Sequence, residues 1–149
     1  EIDYATWLFG WPSEVKANIR NKGILGIKSE EEVDLMWEAD DQCVVSIRLD
    51  YLTRPPRRRI GAFGSNGTIE LDNITGKLHA DIEGADAWGH STFQERNSMF
   101  MLQTKAFINA VSGDVDDKIA TSEHGLWALA ICDAAREAAE TKQSVEVRY

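Results

Sequence analysis

Hydrophobic and polar residues alternate along the first half of the chain. Between Cys43 and Tyr51 every second residue is apolar and most of the others are polar, which is the period-two pattern of a half-buried β-strand. Similar alternation covers residues 14–21, 33–39, 58–63, 68–72 and 77–82. The pattern therefore predicts six strands, with turns at Asp40-Asp41, Asn66-Gly67 and residues 73–76.

Three segments interrupt this pattern. Residues 22–32 contain two glycines and three consecutive glutamates, and we expect a solvated, mobile connector there. Residues 84–92 show no periodicity and are predicted to form a loop. Thr53-Arg54-Pro55-Pro56 breaks the strand that ends at Tyr51, because proline has no N–H to donate to a neighbouring strand.

The first residues of the chain show helical periodicity. Residues 2–9 place their apolar side chains on one helical surface, and Gly10 followed by Pro12 ends the helix. No Ser, Thr, Asn or Asp precedes Ile2 to bind the exposed N–H groups of the first turn. We therefore expect residue 1 to be a cut made through a longer polypeptide.

Two long helices are predicted near the other end of the chain. Residues 93–112 have a wide apolar face and stop at Gly113. A second apolar stripe runs to about Lys142, and Thr121 or Ser122 is expected to cap its first turn. Residues 145–147 add a short final strand.

Strands followed by two long helices, without β-α-β alternation, predict the α+β class. We expect one domain over residues 1–149, with a predominantly antiparallel sheet covered on one face by the two long helices. Val44, Met36 and Phe63 are apolar at positions that face away from the helices. The open face is therefore expected to form a homodimer or a higher homo-oligomer, although isolated exposed apolar residues are also common.

Composition excludes some partners. The net charge of −9 argues against a general nucleic-acid or anionic membrane surface, and no apolar run approaches the roughly 20 residues of a membrane span. Cys43 and Cys132 are too few for a disulfide framework, and we interpret them as small apolar residues of a cytosolic protein.

Two familiar kinds of site are not predicted. The segment GAFGSNG at residues 61–67 superficially resembles a phosphate-binding loop, but a strand rather than a helix follows it. His79, His90 and His124 lack the spacing of zinc ligands. Neither a phosphate loop nor a metal site is therefore expected.

The densest positive charge lies at Arg54, Arg57, Arg58 and Arg59. Guanidinium groups match carboxylates and phosphates through paired donors, so the cluster predicts an anion-binding site. Equally, the arginines could pair across the sheet with carboxylates, for which the candidates are Asp50, Glu70 and Asp72. Strand alternation would place Arg57 and Arg59 on one face and Arg58 on the other.

Four segments resemble, in order and spacing, the C-terminal domain of the Gfo/Idh/MocA oxidoreductases, which include glucose-fructose oxidoreductase and inositol dehydrogenase. They are EIDYATWLFG, LDYLTRPPRRRIGAFGSNGTIELD, FQERNSMFMLQTKAFINAVSGD and TSEHGLWALAICDAAREAAETKQSVEV. The resemblance implies a domain like the C-terminal domain of glyceraldehyde-3-phosphate dehydrogenase. It also implies an N-terminal Rossmann domain that binds NAD or NADP and lies outside these residues.

The resemblance further implies hydride transfer between nicotinamide and a hydroxyl-bearing carbon of a sugar, sugar acid or polyol. The family pattern Asp-x-x-x-His-x-x-Asp would end at Asp3, with its histidine immediately before Glu1 and a catalytic lysine in the N-terminal domain. Asp3 would bind substrate hydroxyls, although an acidic residue in a first helical turn is also favoured by the helix dipole. Tyr51, Arg54 and Arg58 are candidates to bind a substrate hydroxyl, carboxylate or phosphate.

By this resemblance the 149 residues contain no catalytic or cofactor-binding residue of their own. We expect them to be inactive alone and to work with the Rossmann domain as the substrate-binding and dimerisation half of an enzyme. The alternative is a non-catalytic binding or oligomerisation module with the same fold.

Overall fold

The computed structural model describes residues 1–39, 42–91, 95–114, 116 and 118–149. The chain forms two compact units, which are treated separately below. The first comprises Glu1–Leu52 and Ala120–Tyr149, and the second comprises Thr53–Ile119. The predicted turn at Asp40-Asp41 lies outside the described residues.

The first unit contains a four-stranded antiparallel sheet and two helices. Its elements are α1 (Ile2–Phe9), β1 (Glu14–Arg20), β2 (Glu32–Glu38), β3 (Val44–Asp50), α3 (Ser122–Thr141) and β8 (Val145–Glu146). The strand order is β3-β2-β1-β8. Helix α3 packs on β1 and β8, and α1 packs against α3 and β3.

Alternation along the strands puts one face of this sheet into the core. Val15, Leu35 and Val45 come from three neighbouring strands and are buried together with Ile131 of α3. Trp37 is also buried, and its indole Nε1 donates a hydrogen bond to the carbonyl of Gly10 at 3.2 Å. This bond links the end of α1 to β2.

Helix α3 begins at the predicted cap. The N–H of His124 donates to Oγ1 of Thr121, and Nδ1 of His124 accepts from the N–H of Thr121, both at 3.3 Å. This reciprocal pair satisfies two N–H groups of the first turn. The helix ends at Lys142, which has a left-handed backbone conformation with φ +61°.

The second unit contains a four-stranded antiparallel sheet of order β4-β5-β6-β7 and one helix. Its elements are β4 (Arg59–Gly64), β5 (Gly67–Asp72), β6 (Lys77–Ile82), β7 (Trp88–Ser91) and α2 (Arg96–Val111). Each strand pairs with the next along the chain. No helix among the described residues is long and apolar enough to cross a membrane.

The α+β class is confirmed, but the strands form two sheets where the sequence predicted one. The second sheet consists of successive hairpins, which complete their hydrogen bonds locally and need no partner in the first sheet. The two long helices also belong to different units: α3 covers the first sheet, whereas α2 lies in the second unit. Most apolar side chains of α2 are exposed.

Two local predictions were wrong. Gly64 pairs with Gly67, so the hairpin turn is Ser65-Asn66 rather than Asn66-Gly67. A Cβ at residue 67 would lie 2.3 Å from the carbonyl oxygen of Asp81, so glycine is required there by close strand approach. The predicted loop at residues 84–92 contains strand β7, which pairs with β6. This pairing uses backbone groups, so the strand shows no alternation of apolar and polar side chains in the sequence.

Candidate functional site

Asp3 lies in the first turn of α1, and its side chain is exposed. The carbonyl of Asp3 accepts a hydrogen bond from the hydroxyl of the buried Thr6 at 2.8 Å. The bond between Gly10 and Trp37 links the C-terminal end of this short helix to β2, while the bond between Thr6 and Asp3 lies within the helix itself.

Tyr51 follows the last residue of β3. Its backbone N–H donates to the carbonyl of Glu31 at 3.0 Å, and the next N–H, of Leu52, donates to the carboxylate of Asp50 at 2.8 Å. The side chain of Tyr51 is 63% exposed. The backbone at Tyr51 is therefore held by hydrogen bonds on both sides, and most of its surface is exposed to solvent.

Arg54 and Arg58 lie in the second unit and are exposed. Nη1 of Arg54 donates to the carbonyl of Thr53 at 2.8 Å, and the carbonyl of Arg58 accepts from the N–H of Asn73 at 2.8 Å. Asp3 and Tyr51 belong to the first unit, so the four predicted residues are divided between the units. Their common role stays a prediction.

Arg59 has a structural role. Its Nε lies 3.5 Å from the carboxylate of Asp72, its register partner on β5. The predicted cross-strand pairing is thus confirmed for this arginine. Strand β4 begins only at Arg59, so the alternation that was expected to separate Arg57 from Arg58 does not apply to them. The strand starts after the proline-containing segment because proline has no N–H group to donate to a neighbouring strand.

The open face of the first sheet carries an ion-pair network that the sequence did not reveal. The carboxylate of Glu32 lies 3.0 Å from both Nε of Arg20 and Nζ of Lys22, and 3.5 Å from Nη2 of Arg48. Asp34 lies 2.6 Å from Nη2 of Arg20 and 2.8 Å from Nη1 of Arg48. The cross-strand register of β1, β2 and β3 creates this cluster.

These contacts shift two pKa values. The hydrogen bond from Lys22, followed by the charges of Lys22, Arg20 and Arg48, lowers the pKa of Glu32. The hydrogen bond that Arg48 donates to the carboxylate of Asp34, followed by the negative charge of Asp34, raises the pKa of Arg48. Asp50 lies 4.0 Å from Nε of Arg48 and adds a third carboxylate. Three cations thus face three carboxylates across the strands, so the network forms a charge-balanced surface rather than an anion-binding site.

The glycine segment does not fit a dinucleotide. Residues 61–67 form the β4–β5 hairpin, and no helix N-terminus follows to bind a pyrophosphate. Gly67 instead permits close contact with β6. Among the described residues, no group of three or more His, Cys, Asp or Glu side chains is placed to hold a metal ion.

Apolar side chains are exposed on both units. Val44 is 63% exposed on the first sheet, and Phe63 is 73% exposed on the second. Met36 is also exposed, as the sequence predicted for the face opposite the helices. Surfaces of this kind are typical of contacts with other protein groups.

Comparison with known families identifies the chain. The family described as "Oxidoreductase family, C-terminal alpha/beta domain", of the Gfo/Idh/MocA type, matches residues 1–147. The chain belongs to this family. The resemblance noted in the sequence is therefore confirmed for almost the whole length of this Gfo/Idh/MocA C-terminal domain.

Solved structures share the fold of this Gfo/Idh/MocA domain. A levoglucosan dehydrogenase in complex with NADH and levoglucosan superposes with a TM-score of 0.87 at 16% identity, over 99% of this chain and 48% of that one. An oxidoreductase from Agrobacterium radiobacter in complex with NAD+, L-tartaric acid and magnesium gives 0.79 at 18% identity, over 98% and 46%.

A third structure is the WlbA dehydrogenase from Bordetella pertussis in complex with NADH and UDP-GlcNAcA. It gives a TM-score of 0.71 at 18% identity, over 99% of this chain and 42% of that one. The Gfo/Idh/MocA domain thus spans about half the length of these structures, and at this identity the likeness shows the fold alone. No curated protein sequence matches the chain.

Proposed function

We propose that this domain is the substrate-binding half of an NAD(P)-dependent oxidoreductase that acts on a sugar, sugar acid or polyol. The observation that carries the proposal is the family match over residues 1–147. The similar structures support it, because their ligands include NADH with levoglucosan, NAD+ with L-tartaric acid, and NADH with UDP-GlcNAcA. A hydroxyl-bearing ligand is common to these complexes.

In this proposal the nicotinamide nucleotide is bound by a Rossmann domain outside the 149 residues, because the glycine hairpin at residues 61–67 does not fit it. The cofactor supplies hydride chemistry. The present chain supplies groups that hold the substrate. The carboxylate of Asp3 accepts hydrogen bonds from substrate hydroxyls, and Arg54 and Arg58 donate to a carboxylate or phosphate. Tyr51 contributes an exposed ring and a phenol hydroxyl.

The test is to express the polypeptide together with the sequence encoded upstream of residue 1. We expect that sequence to contain a strand, a GxGxxG turn and a helix, and a histidine immediately before Glu1. The longer protein should reduce NAD+ or NADP+ in the presence of a panel of sugars, sugar acids and polyols. The 149-residue chain should give no rate. An upstream sequence without a nucleotide-binding unit would overturn the proposal, and so would turnover by the chain alone.

A second candidate is a cytosolic, non-catalytic assembly module. The exposed Val44 and Phe63 favour a protein contact on the open sheet faces, as in a homodimer or higher homo-oligomer. This function predicts self-association without nucleotide and no hydride transfer by the longest natural form of the protein. Dehydrogenase activity of that form would exclude it, whatever its oligomeric state.

A further inference from the structure

The tip of the β4–β5 hairpin carries an asparagine followed by a glycine, at Asn66 and Gly67. Of the asparagines in this chain, only Asn66 precedes a glycine. This order matters chemically, because the peptide nitrogen that follows an asparagine can attack the side-chain amide of that asparagine. Glycine has no Cβ to obstruct the approach and has the widest range of backbone conformations. The pair is therefore a candidate for spontaneous chemical modification.

A hydroxyl group is placed on the side-chain amide of Asn66. Oγ of Ser65 donates a hydrogen bond to Oδ1 of Asn66 at 3.2 Å. A hydrogen bond to an amide oxygen draws electron density away from the amide carbon and stabilises the negative charge that develops on the oxygen during nucleophilic attack. Ser65 therefore activates the carbon that lies within reach of the nitrogen of the next residue.

A second hydrogen bond acts on the attacking group. The backbone carbonyl of Asn66 accepts from the N–H of Glu83 at 2.8 Å. This carbonyl belongs to the same peptide group as the nitrogen of Gly67, so the bond stabilises the anion that forms when the nitrogen loses its proton. Loss of this proton is required before the nitrogen can attack. Both carbonyl groups of Asn66 are thus hydrogen-bonded in the sense that favours ring closure.

Asn73 provides a comparison within the same sheet. It is also exposed, and it lies in the turn that follows β5. The next residue is Ile74, whose branched side chain crowds the peptide nitrogen. The N–H of Ile74 also donates to the carboxylate of Asp72 at 3.0 Å, and an ionised acceptor holds the proton on the nitrogen more strongly than a neutral carbonyl does. The structure therefore disfavours the same reaction at Asn73.

We propose that Asn66 is a site of spontaneous deamidation, promoted by the hydroxyl of Ser65. The deprotonated nitrogen of Gly67 forms a bond to Cγ of Asn66, the bond between Cγ and Nδ2 breaks, and Nδ2 takes up a proton and leaves as ammonia. The product is a five-membered cyclic imide. Water then cleaves one of the two C–N bonds of the imide nitrogen. Cleavage at Cγ leaves aspartate, whereas cleavage at the backbone carbonyl leaves isoaspartate, in which the main chain runs through the side-chain carbons.

The two products affect the hairpin differently. Both add a carboxylate, but isoaspartate also adds one carbon to the backbone between residues 66 and 67. Gly67 has little space to shift toward β6, because even a Cβ at this residue would collide with the carbonyl oxygen of Asp81. We therefore expect the isoaspartate form to lose the pairing of Gly67 with Ile82, and the aspartate form to keep it. The modification does not depend on the proposed oxidoreductase function.

Mass spectrometry of peptides from the aged protein tests the proposal. The folded protein is kept at mildly alkaline pH, where the attacking nitrogen loses its proton more readily, and samples are digested at intervals. Conversion of the side-chain amide to an acid should be about tenfold faster at Asn66 than at Asn73. An isoaspartyl methyltransferase with labelled S-adenosylmethionine should label the peptide that contains residue 66. Conversion at Asn66 that is no faster than at Asn73 would refute the proposal.

Variants of Ser65 separate the effect of the folded geometry from that of the local sequence. Ser65→Ala removes the hydroxyl at an exposed position and should slow deamidation of Asn66 by about two- to tenfold, as expected for one hydrogen bond. Ser65→Thr retains a hydroxyl and should keep the wild-type rate. In guanidinium chloride the hydrogen bond is lost, so the wild type and Ser65→Ala should react equally fast. The proposal is wrong if Ser65→Ala reacts at the wild-type rate in the folded protein, or if the difference persists in the denaturant.

Discussion

The carboxylate of Asp72 lies 3.5 Å from Nε of Arg59, and the two residues are register partners on β5 and β4. This pair separates Arg59, which has a structural role at the start of β4, from the other arginines of the cluster, which precede the strand. Arg59 stabilises the hairpin sheet, whereas Arg54 and Arg58 remain the candidates for substrate binding.

If the proposed function is correct, replacing Arg54 or Arg58 by Ala in the longer polypeptide should weaken substrate binding. A hydrogen bond to a charged group contributes about 1.5–3 kcal/mol, so we expect kcat/KM for an anionic substrate to fall by roughly ten- to a hundredfold. Steady-state kinetics with Arg59→Ala as the control checks this, because Arg59 is already paired with Asp72. Equal kinetic effects of all three variants would assign the whole cluster to structure.

The turn that follows β5 should lose stability in acid. Hydrogen bonds from the backbone N–H groups of Thr75 and Ile74, together with the charge of Arg59, lower the pKa of Asp72. A carboxylate with a lowered pKa stabilises the folded state above its unfolded pKa of about 4, and this contribution is lost as the pH falls through the folded value. Near neutral pH, the wild type should therefore unfold at a higher temperature than the Asp72→Asn variant. The difference should vanish in acid, and a constant difference would contradict this prediction.

Neighbouring glutamates of the connector should differ in their effect on stability. Glu31→Ala removes a buried acceptor of two backbone N–H groups and should lower the free energy of unfolding by about 1–3 kcal/mol. Glu30→Ala removes an ion pair with Arg136 near the surface and a local hydrogen bond between the Glu30 carboxylate and the backbone of Glu30, and should cost about 1 kcal/mol or less. Urea unfolding of both variants makes the comparison. Similar losses would show that burial of the Glu31 carboxylate is unimportant.

Tyr149 should ionise late. Burial raises the pKa of Tyr149 to about 12, and its hydroxyl donates to the carbonyl of Pro12 at 2.7 Å. The phenolate absorbance that is present in the wild type but missing from Tyr149→Phe should therefore appear near pH 12 rather than near 10. The folded state binds the phenol proton of Tyr149 more tightly than the unfolded state does. The free energy of unfolding should therefore fall as the pH rises from about 10 to about 12.

The same variant gives a second readout for Tyr149 at neutral pH. Loss of the hydrogen bond to Pro12 should lower the free energy of unfolding by about 1 kcal/mol. At alkaline pH, Tyr149→Phe should lose less stability than the wild type, since it lacks the ionising group. A steeper alkaline loss in the variant would refute the assigned pKa shift.

Much of the fold could be predicted from local patterns. The alternation at residues 14–21, the apolar stripe of α3 and the cap at Thr121 all appear in the structure as predicted. The strand β7 was missed because its four residues pair through backbone groups, which do not depend on side-chain pattern. The candidate site was predicted mainly by family resemblance, and its assembly from Asp3 and the arginines stays a prediction.

The sequence by itself determined most of the elements of secondary structure, the α+β class and the family, because periodicity, caps and motif order are properties of neighbouring residues. Only the tertiary structure decided which charges meet. Glu32 lies beside Arg48, and Glu31 becomes a buried acceptor rather than part of a solvated acidic run. These relationships depend on strand register and burial, which are set by contacts between residues far apart in the chain.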